Sequence, residues 1–458
     1  MTLIDRLQDA QTRFQRWRER STRNRIFGAT ITVGGLTGFV AATSMAKDMI
    51  SARAFGAGDL LDAYQIAVSL PLLLVTMIAS PLASVLVPAY IREEERDPAE
   101  AARLFEQAVA SLAAVLLVVI ALVALTADLW LARFAAGFPP DKLGLTRQLL
   151  FLSLPLLFIE GTSGAWVAVL NARERFFLGA LAPIMAPLGA LAALVFTPGL
   201  GVFGLAGGTV IGFAVKAVLV GSGLRSHHLR VIPRWPDGLT TSPAFRALVG
   251  QFLAVAAGQF FASAVPYVDQ FMAASLAPGS VSSLTFGNKL IVPFQNIGSI
   301  ALGTALLPYF SQLVARNDRA GLRAAFISYG RLILLASVPV TIVLVIASES
   351  IVRLLFQRGA FTADDAHRVA RIQAMYALQI PFYLLGSVAA RLIYSLQGNR
   401  LLLFIYAIGL AAHVALNLLL MRDHGAAGLA LSLSLTHVVY LVLYAIAIRL
   451  LWRRRTWM

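Results

Sequence analysis

Apolar stretches of about 20 residues follow one another along nearly the whole chain, and each is long enough to cross a lipid bilayer as a helix. Of the 458 residues, 58% are hydrophobic and only 13% are charged, whereas about 25% of the residues in a soluble domain are charged. Inside a bilayer the backbone polar groups must be hydrogen-bonded within the protein, which leaves only helices and closed barrels. These stretches therefore predict an all-α, polytopic membrane protein.

We predict twelve transmembrane helices in two six-helix lobes that enclose a central cavity. The predicted spans are 28–50, 64–90, 106–127, 146–170, 178–197, 201–223, 246–274, 280–312, 326–347, 370–396, 401–420 and 425–450. The predicted domains are a basic amphipathic segment at 1–25, an N-lobe at 26–224, a cytoplasmic linker at 225–245, a C-lobe at 246–451 and a basic tail at 452–458. Arginines are concentrated in both terminal segments and in the loops after even-numbered spans, so both termini are expected in the cytoplasm.

The two halves of the chain repeat each other. Asp48 corresponds to Asp269 and Gly58 to Gly279, because both pairs have one offset (269 − 48 = 279 − 58 = 221). The segment that starts at Gly204 returns at Gly428 (428 − 204 = 224). With six helices in each half, the halves have the same orientation, so we expect a pseudo-twofold axis along the membrane normal. Such repeats are typical of transporters that bind substrate between their halves.

Charged residues within the predicted spans are the best candidates for a functional site, because each costs about 2.5–3.5 kcal/mol at the centre of a membrane helix. Lys47 and Lys289 come from different halves, and the segment around each is echoed in the other half. Two ammonium groups that face one cavity would suit a diphosphate, which offers acceptor oxygens in every direction. The alternative is internal ion pairing of either lysine with Asp48 or Asp269.

A second candidate group is Asp269 with His413 and Asn417. His413 and Asn417 are four residues apart and therefore share one helix face. A carboxylate, an imidazole and an amide could hold a coupling proton or sodium ion. They could equally form a hydrogen bond between helices, worth about 1 kcal/mol or less. Both interpretations remain open from spacing alone.

Three other charges within the spans have simpler interpretations. Glu160 could be a proton carrier, and we favour a structural, hydrogen-bonded carboxyl group instead. Lys216 and Arg391 lie near predicted helix ends. Long basic side chains at such positions can extend to the membrane surface.

Several other classes of function are disfavoured. The chain has no cysteine, and therefore neither disulfides nor a thiolate site. Basic cytoplasmic loops account for the net charge of +15 without a nucleic-acid partner. The longest outward loops, 128–145 and 348–369, are short for the catalytic carboxylates of a membrane glycosyltransferase. We expect no enzymatic activity, no bound cofactor or metal, and a monomer surrounded by membrane lipids.

Several segments give the chain a family resemblance. They are Lys47-Asp48, Ala52-Arg-Ala-Phe-Gly-Ala-Gly58, Asp62-Ala-Tyr64, Gly279-Ser-Val-Ser-Ser283, Ile300-Ala-Leu-Gly-Thr-Ala-Leu-Leu-Pro308, Leu355-Phe-Gln-Arg-Gly-Ala-Phe-Thr362 and Arg391-Leu-Ile-Tyr-Ser-Leu-Gln397. In this order they resemble the MurJ/MviN family of lipid II flippases, within the superfamily of multidrug and oligosaccharidyl-lipid exporters. The resemblance implies a two-lobed helical bundle that alternates between inward-open and outward-open states.

The resemblance also implies roles for particular residues. Basic residues in the cavity of that family bind the diphosphate of an undecaprenyl-linked sugar. Lys47 and Lys289 stand where the family has cavity arginines, and Arg53 matches a basic position. Two departures are visible: Val75-Thr76 replaces an Arg-Arg pair, and the family has fourteen helices, of which the last two form a lipid-tail groove.

From these observations we expect a flippase that moves an undecaprenyl-diphosphate-linked glycan, lipid II, across the bacterial cytoplasmic membrane. The expected substrate-binding residues are Lys47, Asp48, Arg53 and Lys289. Asp269, His413 and Asn417 are expected to bind a coupling ion, Na⁺ or H⁺, unless the membrane potential alone drives transport. The alternatives are an exporter of another lipid-linked oligosaccharide (exopolysaccharide or O-antigen type), a multidrug exporter and a non-transporting scaffold.

Overall fold

The computed structural model describes residues 22–173, 176–225 and 242–454. All regular elements among these residues are helices, and none is a strand. Residues 1–21 of the predicted amphipathic segment, residues 226–241 of the predicted linker and residues 455–458 of the predicted tail lie outside the described residues. The all-α fold class is confirmed.

Nine α-helices make up the first half. They are α1 (Thr22–Phe55), α2 (Asp59–Arg96), α3 (Pro98–Leu125), α4 (Ala127–Phe134), α5 (Pro140–Ser153), α6 (Pro155–Ala172), α7 (Phe176–Leu181), α8 (Met185–Phe196) and α9 (Gly201–Arg225). Short 3₁₀ segments at Ala182–Ile184 and Pro198–Leu200 join the last three.

The second half also contains nine α-helices. They are α10 (Pro243–Ser263), α11 (Val265–Ala273), α12 (Ser280–Lys289), α13 (Val292–Ala315), α14 (Arg319–Ile346), α15 (Ser348–Phe356), α16 (Ala363–Ala377), α17 (Gln379–Ser395) and α18 (Asn399–Arg454). A non-helical residue, Gly425, divides α18 into two parts.

Proline explains why several predicted spans appear as two consecutive helices. Pro155, Pro266, Pro293 and Pro381 lie at the junctions α5/α6, α10/α11, α12/α13 and α16/α17. Proline lacks the N–H that would continue the helical hydrogen bonds and clashes with the preceding turn. With these pairs joined, α7 and α8 taken together and α18 divided at Gly425, the described helices follow the twelve predicted spans in order, and the short helices α4 and α15 are additional. Among the described residues, nine helical stretches, with α18 taken as one, are long and apolar enough to cross a membrane.

The internal repeat is visible in the backbone. Gly201 has φ 54° and ψ −131°, and Gly425 has φ 56° and ψ −135°, at the offset of the sequence repeat (425 − 201 = 224). Only glycine adopts this conformation at low cost. Gly58 and Gly279 each immediately precede a helix, α2 or α12, but their backbones differ, because Gly58 is extended (φ −142°) and Gly279 is left-handed (φ 82°). The connection before the last helical stretch of each half is therefore built alike, whereas the one before α2 and α12 is not.

The two lobes meet along a limited set of helices. Helices α10, α11 and α12 of the C-lobe contact α2 of the N-lobe, and α15 contacts α1. At one end of the molecule the lobes share a buried apolar core, in which Phe286, Phe356 and Phe361 of the C-lobe pack against Ala52 and Leu61 of the N-lobe. We call this end, formed by residues 53–62, 274–282 and 357–368, the latch end.

Candidate functional site

The lobe junction contains a compact cluster of opposite charges. Lys47 Nζ lies 2.5 Å from Asp48 Oδ1, and Lys289 Nζ lies 2.9 Å from Asp48 Oδ2. Lys289 Nζ also donates a hydrogen bond to Ser44 Oγ at 2.9 Å. Lys47, Asp48 and Ser44 belong to α1 and Lys289 belongs to α12, so both lobes contribute to this cluster. We call it the junction cluster.

The residues of the junction cluster differ in their position on the helices and in their exposure to solvent. Lys289 is the last residue of α12, where a cation interacts favourably with the helix dipole. The side chain of Asp48 is 3% exposed, whereas those of Lys47 and Lys289 are 15% and 33% exposed. The carboxylate is therefore sealed, whereas the two lysine side chains remain partly accessible.

The structure brings together three of the four predicted substrate-binding residues. Lys47 and Lys289 meet at Asp48, so the alternative of internal ion pairing describes the contacts in this conformation. The predicted contact of the lysines with a diphosphate stays a prediction. Arg53 lies apart from them, exposed in the last turn of α1, and its carbonyl oxygen accepts a hydrogen bond from the Ala360 N–H at 2.9 Å.

The second predicted group is also assembled. Asp269 Oδ1 lies 2.8 Å from His413 Nε2 and accepts a hydrogen bond of 2.8 Å from Asn417 Nδ2. His413 Nδ1 lies 3.0 Å from Thr436 Oγ1, and Ser432 Oγ donates to Asn417 Oδ1. All five side chains are buried. We call them the C-lobe cluster, because α11 and the two parts of α18 supply every member.

Two charges for which extension to the membrane surface was one interpretation have internal partners instead. Lys216 Nζ donates to Glu160 Oε1 at 2.7 Å and to Oε2 at 2.6 Å. Arg391 donates from Nη2 to the Ser299 carbonyl oxygen at 2.9 Å and from Nη1 to the Ser387 carbonyl oxygen at 2.8 Å. The structural interpretation of Glu160 agrees with its pairing, whereas the surface interpretation of Lys216 is wrong because its ammonium group binds this carboxylate.

A third polar group, which the sequence did not single out, connects the lobes at the latch end. Asp62 of α2 accepts hydrogen bonds from the backbone N–H groups of Gly279 at 2.7 Å and Ser282 at 2.8 Å. Lys142 Nζ donates to the same carboxylate at 2.9 Å and to Asp59 at 2.6 Å. Asp62 thus caps the first turn of α12 from the other lobe, and we call this contact the latch.

Gly279 allows the latch to form. Its φ is +82°, a value that favours glycine, and a Cβ at this position would collide with the carbonyl oxygen of Ala57. Asp62-Ala-Tyr64 and Gly279 were both recognised as family segments, but no pattern within one segment indicates that they bind each other. Ser44, Ser432 and Thr436 were missed for a related reason, since single hydroxyl residues are common in membrane helices.

Comparison with known sequences gives a consistent result. The sequence profile of the family described as lipid II flippase MurJ matches residues 51–455. A probable lipid II flippase MurJ of Thermotoga maritima is 28% identical over 407 residues, which cover 88% of this chain and 81% of that protein. The lipid II flippase MurJ of Burkholderia cenocepacia is 26% identical over 421 residues, which cover 89% of this chain and 81% of that protein.

Solved structures show the same fold. A structure described as lipid II flippase MurJ in an inward closed conformation matches with a TM-score of 0.81 at 20% identity, covering 92% of this chain and 87% of that chain. An inward-facing multidrug resistance MATE family transporter of the MOP superfamily matches with a TM-score of 0.74 at 11% identity, covering 92% of this chain and 98% of that chain. At these identities the matches establish the fold alone, and the chemistry of the site has to be inferred from the side chains of this chain.

Proposed function

Since the chain belongs to the lipid II flippase MurJ family, we propose that it moves lipid II, an undecaprenyl-diphosphate-linked glycan, across the bacterial cytoplasmic membrane by alternating access. The observation that carries this proposal is the junction cluster, in which an ammonium group from each lobe binds one carboxylate. A diphosphate offers the same kind of acceptor oxygens as that carboxylate. Substrate would therefore compete with Asp48 for Lys47 and Lys289.

Through this competition, substrate binding would shift the conformational equilibrium of the two lobes. A buried ammonium group without an anion is costly, so Asp48 keeps both lysines satisfied before substrate arrives. Once phosphate oxygens replace Asp48, the ion pair between Lys289 and α1 no longer joins the lobes directly. A ligand shifts a conformational equilibrium only by its differential affinity for the two states. The exchange of anions at Asp48 supplies that difference.

The orientation proposed here has both termini in the cytoplasm and the latch end outside. The arginine-rich loops on the opposite side from the latch support it. The chain has no cysteine, so single cysteines can be introduced without background. Cysteines at Asp141 and Asp364 should react with an impermeant thiol reagent in intact cells, and one at Arg316 should not. Labelling of the Arg316→Cys variant alone would reverse the orientation.

We further propose that the C-lobe cluster holds the coupling ion and that this ion is a proton. Thr436 Oγ1 donates its only hydrogen to the Ser432 carbonyl oxygen at 2.7 Å, so it can only accept from His413 Nδ1, which must carry hydrogen. A neutral imidazole of that tautomer would direct the lone pair of Nε2 at Asp269 Oδ1, 2.8 Å away. One additional proton, on Nε2 or on Oδ1, relieves this repulsion.

The same hydrogen bonds argue against sodium in this conformation. A hard cation needs several free oxygen ligands, but Thr436 Oγ1 and Asn417 Oδ1 already accept hydrogen bonds. The groups that face Asp269 Oδ1 are nitrogen atoms of His413 and Asn417. Among the described residues, no three His, Cys, Asp or Glu side chains form a group that could hold a metal ion.

Helix α11 would connect proton binding to the movement of the lobes. Asp269 joins α11 to α18 through His413 and Asn417. The neighbouring Gln270 accepts a hydrogen bond from Ser69 of the N-lobe. Asp269, His413 and Asn417 are all buried. Loss of the shared proton would place a negative charge among these groups and weaken the attachment of α11 to α18.

The lipids that co-purify with the protein test the proposed substrate. The wild-type protein should retain an undecaprenyl-diphosphate-linked glycan, detectable by mass spectrometry, and the Lys47→Ala/Lys289→Ala variant should lose it. Lys216→Ala is the matched control, because it removes a lysine from an ion pair inside one lobe. If the retained lipid carries another glycan, lipid II is the wrong substrate. If no diphosphate lipid is retained, the proposed substrate class is wrong.

A further inference from the structure

A cavity of about 490 Å³ opens at the latch end of the C-lobe, away from the junction cluster. Helix α16, the break of α18 and the connection between α11 and α12 form its walls. Its charged and titratable lining residues are Asp364, His367, Arg368, Arg371, Arg422 and His424. Three of these are arginines and one is acidic, so the lining has an excess of positive charge.

The arginines differ in how they are paired. Arg368 donates to Asp365 Oδ1 at 2.5 Å and to the Pro278 carbonyl oxygen at 3.0 Å. Arg371 and Arg422 are exposed, and within the described ranges no ion pair joins either of them to a carboxylate. Two guanidinium groups from different helices therefore border one concave space, and no described carboxylate forms an ion pair with either of them.

The cavity lies at the ends of the helices that build the C-lobe cluster. Helix α11 carries Asp269 and ends shortly before Leu276 of the lining, while the break of α18 at Gly425 separates Asn417 from Ser432. Arg371 is on α16 and Arg422 is on α18. An anion held by both arginines would fix these two helices relative to each other.

The proposed orientation strengthens the argument for a ligand. Arginine is uncommon in short loops outside the cytoplasm, and yet these three arginines lie on the side assigned to the outside. Guanidinium groups bind phosphate oxygens well, because their planar forks match the geometry of phosphate. Isolated surface arginines would explain exposure, but not their convergence on one cavity from separate helices.

We propose that this cavity binds a phosphate or diphosphate group through Arg371 and Arg422. The group can belong to a lipid headgroup in the outer leaflet or to a free anion, since the recognition chemistry is the same. The site is separate from the junction cluster and does not depend on the proposed substrate. Its assignment to the outer side depends on the proposed orientation.

Binding of inorganic pyrophosphate to the purified full-length protein tests the site. A Lys47→Ala/Lys289→Ala background removes the junction cluster as a competing site. A loss of binding at the junction cluster therefore cannot be mistaken for a loss of binding at this cavity. In this background, calorimetry should detect saturable binding that weakens at least tenfold in Arg371→Ala/Arg422→Ala. The matched control is Arg353→Ala/Arg358→Ala, which removes two arginines outside the cavity at the same end. Equal binding in both variants, or no binding in the background, would overturn the proposal.

Native mass spectrometry of the same variants distinguishes the two sources of phosphate. A phospholipid retained by the protein with intact arginines and lost from Arg371→Ala/Arg422→Ala identifies a headgroup as the ligand. Pyrophosphate binding that depends on these arginines, with no difference in retained phospholipid, identifies a free anion. A phospholipid lost equally from the control variant contradicts a headgroup at this cavity.

Discussion

Asp48 and Asp269 occupy corresponding positions of the two repeats, but their environments differ. Asp48 binds a lysine from each lobe, whereas the partners of Asp269 in the described part of the chain, His413 and Asn417, belong to the C-lobe. Lys289 is 33% exposed at the junction, and His413 is fully buried. Both carboxylates are buried, but the cluster around Asp48 is partly accessible through its lysines, whereas His413 beside Asp269 is sealed within the C-lobe. Under the proposed function, the lysines that bind Asp48 contact the substrate, and Asp269 belongs to the coupling site.

The largest effect should come from removing the charge of the C-lobe cluster. Asp269→Asn would replace the carboxylate that we propose shares a proton with His413. Transport in proteoliposomes should lose its dependence on the proton gradient altogether, while substrate binding in detergent should persist. Asp48→Asn is the matched variant in the other repeat and should keep the gradient dependence of whatever transport remains. Normal gradient dependence in Asp269→Asn would remove the distinction between the two carboxylates.

The next largest effect concerns the lysines of the junction cluster. Lys47→Ala and Lys289→Ala should each weaken substrate binding by about 1.5–3 kcal/mol, the range for hydrogen bonds to charged groups. Lys→Arg at either position should retain binding because it restores a guanidinium group, and Lys→Glu should abolish it. Binding to purified protein can be measured by calorimetry. Normal transport by Lys289→Ala would be incompatible with a shared diphosphate site.

Removal of the latch should produce a moderate shift in conformation. Asp62→Ala leaves the N–H groups of Gly279 and Ser282 without their acceptor, at a cost of about 1–3 kcal/mol for each buried group left unpaired. The closed arrangement of the latch end should therefore become less populated. Spin labels at Leu60 and Asp364, one in each lobe, should report longer distances in this variant. Asp59→Ala is the control, since Asp59 binds only Lys142 among the latch residues. Unchanged distances in Asp62→Ala would argue that the apolar core alone keeps the two lobes in contact at the latch end.

The smallest effect is expected for the ion pair inside the N-lobe. Glu160→Gln combined with Lys216→Met removes both charges, and replacing a buried pair by neutral residues is often neutral for stability. Lys216→Met alone should lower the melting temperature more, because it leaves Glu160 unpaired. Gradient dependence should be normal in the double variant. Loss of that dependence would mean that coupling is not confined to the C-lobe cluster.

The order of the helices could be predicted well from the sequence, because long apolar stretches and the positions of proline and glycine are local signals. The pairing of Asp269 with His413 and Asn417 could also be proposed, since charges are rare in membrane helices and conspicuous for that reason. The partners of Asp62 could not, because the acceptor and the N–H groups of Gly279 and Ser282 lie in different lobes. Backbone donors carry no sequence signature, so a contact of this kind becomes visible only in three dimensions.

The central claim is that substrate and Asp48 compete for the same two lysines. The most direct measurement is the affinity of lipid II for purified Asp48→Asn protein, compared with wild type and with Lys289→Ala. Asp48→Asn removes the competing carboxylate and keeps both ammonium groups. We predict that it binds lipid II more tightly than wild type, whereas Lys289→Ala binds it more weakly. If Asp48→Asn weakens binding as much as Lys289→Ala does, the carboxylate does not compete with the substrate, and the proposed exchange at the lobe junction is wrong.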